Sequence, residues 1–304
     1  MNAKQLLLGT AQWGWTVTQE EAFRLLDAWL ASGRCAMDGA TNYPINKHPA
    51  DFRLAERILL EYIRAHGLSH LQLTMKIGAL DNLRTPEANL SPSFVRMMTA
   101  EYKRLFGDNL YAIMIHWDNR ADPAAIADTV HALVESCREE GLRPGLSGIR
   151  HPEVYAPIVR RLNTDFDIQL KHNVLHSDLP RYAPFERHRH RRFAYGINAG
   201  GLKLSGDYPP HSTLKARGGD PSLADAVLSA IREALPRWNT AAVRPPVVDF
   251  YQIGLLFAAG HPHINGIVLG ASSVTQLRQT LDFWRDVETF DYTDVWEDLS
   301  RMAR

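Results

Sequence analysis

The fold class that this sequence predicts is an α/β (β/α)8 TIM barrel, eight parallel strands with crossover helices, and three observations point to it. Apolar segments of strand length alternate with amphipathic helical segments eight times. No Ser/Gly/Pro-rich linker divides the 304 residues, 45% of them hydrophobic, so one domain is expected, a barrel over about residues 5–287 with a tail at 288–304. Asp38, Lys76 and His116 each close an apolar segment, and barrels place their active sites at the carboxyl ends of the strands.

Residues 5–9 read as the first buried strand. Thr18 to Glu21 has the form of a capping box, and Ala22, Leu25, Leu26, Trp29 and Leu30 form an apolar stripe that stops at Gly33. The Asp38 segment is the second strand, and a helix with Leu54, Ile58, Leu59 and Ile63 ends near Gly67. The third strand ends in Lys76. Ser91-Pro92 opens a helix to about Leu105, and residues 110–115 form a fourth strand leading into His116. Asp122-Pro123 opens a helix ending at Gly141, followed by a strand at 142–147, a helix at 152–162 and a strand at 166–170. A helical stretch at 179–188 precedes a strand at 193–197. Residues 198–219 form a long Gly-, Pro-, Ser- and Lys-bearing loop, a candidate lid or ligand clamp. Asp220-Pro221 opens a helix to about Leu235, residues 247–259 read as another, 266–270 as the last strand and 274–287 as the last regular helix.

Thirty-four Lys and Arg balance 34 Asp and Glu, so no global field draws the chain to nucleic acid or anionic lipid. Two cysteines make no disulfide framework, no basic-then-apolar leader opens the sequence, and the longest apolar runs are too short for a bilayer; a cytoplasmic protein is the expectation.

Tyrosine, with a pKa of about 10, exchanges protons poorly at neutral pH unless a cation favours the phenolate. Tyr43 follows the second strand, Lys76 can supply that cation, Asp38 can hold it charged, and His116 can donate to a carbonyl oxygen. This set suits protonation of an oxygen while a cofactor delivers hydride to its carbon.

Seven segments carry a resemblance: Leu8-Gly-Thr-Ala-Gln-Trp13, Asp38-Gly-Ala-Thr-Asn-Tyr43, Thr74-Met-Lys76, Ile115-His-Trp117, Gln169-Leu-Lys-His-Asn173, Ala194-Tyr195 and Leu269-Gly-Ala-Ser-Ser273. In order and spacing they resemble the strand-end motifs of the aldo-keto reductase superfamily over about residues 6–285. The resemblance implies a barrel that binds NADP(H), with NAD(H) as the alternative, and a catalytic tetrad of Asp38, Tyr43, Lys76 and His116. Ser147 and Gln169 would contact the nicotinamide amide, and Tyr195 would stack on the ring. Gly270, Ser272, Ser273, Gln276 and Thr280 would hold the adenosine and phosphates, and Trp13 and Trp117 would line the substrate pocket. The chain departs from the family at Gly148, usually Asn, at Gly196-Ile-Asn198, usually Ser-Pro-Leu, and at Gly270, Gln276, Gln279 and Thr280, where basic, Glu and Asn residues are common. The usual N-terminal hairpin is missing.

Plainer readings stand beside these. Asp38 and Lys76 could be a structural pair, the tryptophans core aromatics, and Gly270 to Ser273 a simple cap. No metal site is expected: His172 and His176 are four apart at a strand end, where that spacing does not align side chains. The basic run 187–192 reads as a solvated turn on the barrel floor. The favoured function is an NAD(P)H-dependent oxidoreductase interconverting a carbonyl and an alcohol, its partner a small-molecule carbonyl substrate. One alternative is a cofactor-binding barrel with a sensing role; another is a lyase using Lys76 through a Schiff base, which the charge held by Asp38 opposes. Asn42, Trp117, Asp118 and Lys203 suit a polar, sugar-like substrate, with the pocket shaped by residues 198–219 and the tail.

Overall fold

The computed structural model describes residues 4–186, 189–209, 212–240 and 243–303. Eight parallel strands close a barrel: β1 (Gln5–Gly9), β2 (Ala36–Ala40), β3 (Gln72–Gly78), β4 (Leu110–Asp118), β5 (Arg143–Ile149), β6 (Asp167–Asn173), β8 (Arg191–Tyr195) and β9 (Gly266–Leu269). The two-residue β7 (His176–Ser177) folds back antiparallel on β6. Neighbours run β5-β4-β3-β2-β1-β9-β8-β6, and a β5 to β6 pairing completes the ring. Among the described residues no strand precedes β1.

In β3, Leu73, Met75 and Ile77 line one face and Thr74 and Lys76 the other, and all five are buried, as a parallel strand covered on both faces requires. The surrounding helices are α1 (Gln19–Ala31), α2 (Leu54–His66), α3 (Pro92–Phe106), α4 (Pro123–Glu139), α5 (Pro152–Leu162), α7 (Asp225–Asn239), α8 (Phe250–Gly260) and α9 (Val274–Thr289). Their starts follow local chemistry: the side chains of Thr18, Ser91, Asp122 and Ser273 accept first-turn N–H groups. Each lays an apolar stripe on the barrel, as with the buried Ile126, Val130, Leu133 and Cys137 of α4.

Register aligns the polar residues laterally. Ala40 pairs with Lys76, Gly78 with His116, His116 with Ser147, and Ser147 with Gln169. Residues far apart in sequence thus share one end of the barrel.

Several expectations change. β3 and β4 continue two residues past Lys76 and His116, and β8 lies two residues earlier than the 193–197 expected. The helix expected at 179–188 is a single 3-10 turn, Leu179–Tyr182; Pro180 and Pro184 remove N–H donors, and residues 187–188 lie outside the described residues. The rest of the basic run is structural: Arg191 pairs with Asp167 at 2.5 Å, and the buried Arg192 donates to the Phe185 carbonyl. Residues 198–219 contain a short helix, α6 (Thr213–Ala216), and Asp220 opens a 3-10 turn before α7. The tail forms a further helix, α10 (Thr293–Met302), which packs on α7 and α8 instead of shaping the pocket. Val295 and Leu299, four apart, are buried there, and Asp298 accepts the Trp238 indole N–H at 2.7 Å.

Candidate active site

Asp38 on β2 and Lys76 on β3 are buried together, with Nζ 2.5 Å from Oδ2. The other Asp38 oxygen accepts the Gln169 amide at 2.5 Å, and the Gln169 carbonyl accepts from Lys76 at 3.3 Å. Gln169 therefore belongs to the charged cluster, keeping one N–H and one lone pair for any further partner. Lys76 Nζ lies 5.0 Å from the centroid of the Tyr43 ring, and the Tyr43 and His116 rings stand edge to face at 6.3 Å.

Burial alone would strip the charge from Lys76, but Asp38, with Tyr43 assisting, outweighs it and lifts its pKa above the ordinary lysine value. Burial raises the Tyr43 phenol, with the Lys76 ammonium pulling the other way, so the proton is present at neutral pH. Burial and the Lys76 charge hold His116 well below the usual imidazole range. It is neutral, with an N–H to offer an oxygen, and its Nδ1 is buried without a partner.

Ser147 is buried in register between His116 and Gln169. Gly148 has φ of 64°, left-handed backbone that glycine adopts freely, and a Cβ there would stand 3.2 Å from the Cβ of Trp117, so a side chain at this position would be crowded. Trp117 is half-buried against His116, ring to ring at 5.1 Å. Trp13 is fully buried in the core, its indole nitrogen unpartnered. Asp118 is removed from the substrate-facing set: it is buried beneath Arg120, at 2.8 Å, and the Tyr155 hydroxyl, at 2.5 Å. His172 stacks on Phe257 while His176 turns to Asp178, so the two imidazoles serve different neighbours.

Tyr195 is half-buried and borders a cleft of about 400 Å³ with Gly148, Arg181 and Tyr182 at the ends of β5, β6 and β8. Among the described residues, both amide atoms of Asn42, in the loop after β2, and Oγ of Ser212, in the segment after β8, are buried without partners, as is Oδ1 of Asn198, which lies against Gly254 of α8. These, with the cleft, fit the nicotinamide end of a dinucleotide. The other end is less free. At the start of α9, the half-buried Ser272 gives its N–H and hydroxyl to the exposed Gln276, at 3.1 and 2.8 Å. Ser273 caps Gln276, and Glu21 of α1 accepts the Val274 N–H at 2.9 Å. Gly270, four residues before α9, is exposed, and Thr280, in the second turn of α9, is half-buried.

Two residues near the site have no signal in the sequence. Gln12 accepts from Thr16 and Thr213, tying the 198–219 segment to the loop after β1. Arg217, in that segment, lies within electrostatic reach of Tyr43.

No curated protein matches the sequence. Among solved structures, the holo form of the aldo-keto reductase AKR11C1 from Bacillus halodurans matches with a TM-score of 0.70 and 18% identity, covering 99% of this chain and 92% of that one. The aldo/keto reductase family model matches residues 5–296. With that match over nearly the whole length and the closed barrel behind it, the chain belongs to the aldo/keto reductase family, a family of oxidoreductases.

Proposed function

We propose that the protein interconverts a carbonyl compound and an alcohol with NAD(P)H, using Tyr43 as the proton donor in the reductive direction. The supporting observation is the buried chain of Asp38, Lys76 and Tyr43, in which a carboxylate fixes an ammonium beside a phenol. When bound, the dinucleotide supplies hydride to the carbonyl carbon. Tyr43 gives its proton to the oxygen, and Lys76 stabilises the phenolate left behind. Neutral His116 orients and polarises the carbonyl through an N–H. Trp117 lines the substrate side. Gln169, Ser147 and Tyr195 face the nicotinamide, with Gly270, Ser272, Ser273, Gln276 and Thr280 toward the adenosine. The occupied donors at the start of α9 support weak discrimination between NADPH and NADH.

Following the reduced-nicotinamide absorbance with a panel of carbonyl compounds and both cofactors tests the reading. Carbonyl-dependent oxidation that vanishes in Tyr43→Phe supports it. A chain that binds the dinucleotide but oxidises it with no carbonyl compound has the sensing role instead.

A further inference from the structure

Arg217 follows α6 in the segment that Thr213 ties to Gln12 at 3.4 Å. Among the described residues its guanidinium makes no hydrogen bond and no ion pair, and its Nε is buried without a partner. The groups that act on it electrostatically are the Tyr43 phenol and a second cation, Arg84. Arg84 stands exposed in the loop after β3 and donates to the carbonyl of Ile45, two residues beyond Tyr43, at 3.3 Å. Among the described residues it pairs with no carboxylate. The half-buried Arg53, Arg120, Arg191 and Arg244, by contrast, each meet a carboxylate within 2.8 Å.

Arg217 is half-buried, and holding its Nε away from water without an acceptor is costly. An anion bound at the guanidinium offsets that cost. The planar fork of arginine matches a carboxylate or a phosphate, which it can hold by two parallel bonds. The loops that carry Arg217 and Arg84 leave the same end of the barrel as Tyr43, one tied to Gln12 after β1 and the other to Ile45, two residues beyond Tyr43.

We propose that Arg217, with Arg84 in another loop at the same end of the barrel, binds a carboxylate or phosphate group carried by the carbonyl substrate, so that the site selects negatively charged aldehydes or ketones. This rests on the reading of Tyr43 as the proton donor. Holding the charged end of the substrate at Arg217 restricts how its carbonyl meets Tyr43 and His116. Burial and Arg84 both draw the Arg217 pKa down, and an anion there would reverse that.

The test compares 4-carboxybenzaldehyde with methyl 4-formylbenzoate, and D-glyceraldehyde 3-phosphate with D-glyceraldehyde. A charge-assisted contact corresponds to a preference of about tenfold to a hundredfold in kcat/KM for the charged member of at least one pair. Arg217→Met should bring that ratio close to one, chiefly through KM, and Arg217→Lys should restore part of it. Ratios near one in the wild type overturn the proposal. So does an Arg217→Met protein that loses NADPH affinity in a fluorescence titration while keeping its substrate ratio, because the anion is then the cofactor's own phosphate. Should Arg217→Met fail to fold, Arg84→Met gives the same comparison, with a smaller expected fall in the ratio. Equilibrium binding of 4-carboxybenzaldehyde, read by tryptophan quenching, needs no turnover. Binding that depends on Arg217 in a protein without reductase activity supports the anion site while refuting the reaction, and binding indifferent to Arg217 overturns the anion site.

Discussion

At the scale of single residues, the site turns on what burial does to four ionisable groups. Tyr43→Phe keeps the ring and removes the proton. Turnover should fall by orders of magnitude under conditions where hydride transfer limits the rate, with dinucleotide affinity little changed. Stopped-flow single turnovers check this, and a variant retaining most of its rate would falsify the role given to Tyr43. Lys76→Met leaves the Asp38 carboxylate buried with only the Gln169 amide, 2.5 Å away, and should cost about 3–5 kcal/mol of stability. Adding Asp38→Asn removes the stranded charge and should recover part of that loss. Urea unfolding of both variants decides it: a double mutant no more stable than Lys76→Met would show that the two are not energetically paired.

At the scale of elements, α9 and α10 carry separate expectations. The start of α9 has its donors engaged by Gln276 and by a carboxylate, Glu21. A carboxylate there opposes a second anion, so Glu21→Gln should shift preference toward NADPH by about 0.3–1 kcal/mol. Gln276→Arg should tighten NADPH by about 1–2 kcal/mol, the scale of a charge-assisted bond, and leave NADH almost unmoved. Fluorescence titrations with both cofactors check each variant, and equal shifts for NADPH and NADH would place these side chains away from the 2'-phosphate. α10 docks against the end of α8, where a Cβ at Gly260 would stand 2.2 Å from the Trp296 indole. Gly260→Ala should therefore destabilise by about 1–3 kcal/mol through overpacking. Thermal unfolding without a fall in midpoint would mean that α10 yields freely.

At the scale of the whole molecule, stability should depend on buried histidines. Burial pushes His172 and His190 down to about 4, and His116 lies well below its usual range. Below about pH 6.5 the unfolded chain binds protons that the folded chain refuses, so stability rises with pH in that window. It is complete above about 6.5 and is lost as pH falls toward 4, each histidine contributing a slope of up to about 1.4 kcal/mol per pH unit. Urea midpoints from pH 7 to 4.5 should show this, and His172→Gln should flatten the curve. An unchanged slope in that variant would remove His172 from the account. Among the described residues, no helix is long and apolar enough to cross a membrane.

The strand and helix alternation, the caps that start the helices, and the polar residues near the ends of β2, β3 and β4 are legible in the sequence, because they depend on local periodicity and on chemistry within a few positions. It also carried the family, through motifs in order. The turn at 179–182, the helix α10 and the burial of Asp118 escaped it, since each depends on partners distant in the chain: Asp118 looked available until Tyr155 and Arg120 closed over it. Gln169 was legible as a site residue, but its bonds to Asp38 and Lys76 follow from barrel closure, which brings β6 across from β2 and β3. Arg217 had no local signal among the glycines and lysines of residues 198–219, where a basic residue reads as a solvated one. Segments distant in the chain half-buried it: among the described residues no carboxylate pairs with it and its Nε is buried without a partner, because those properties belong to the surroundings of the side chain and not to its sequence.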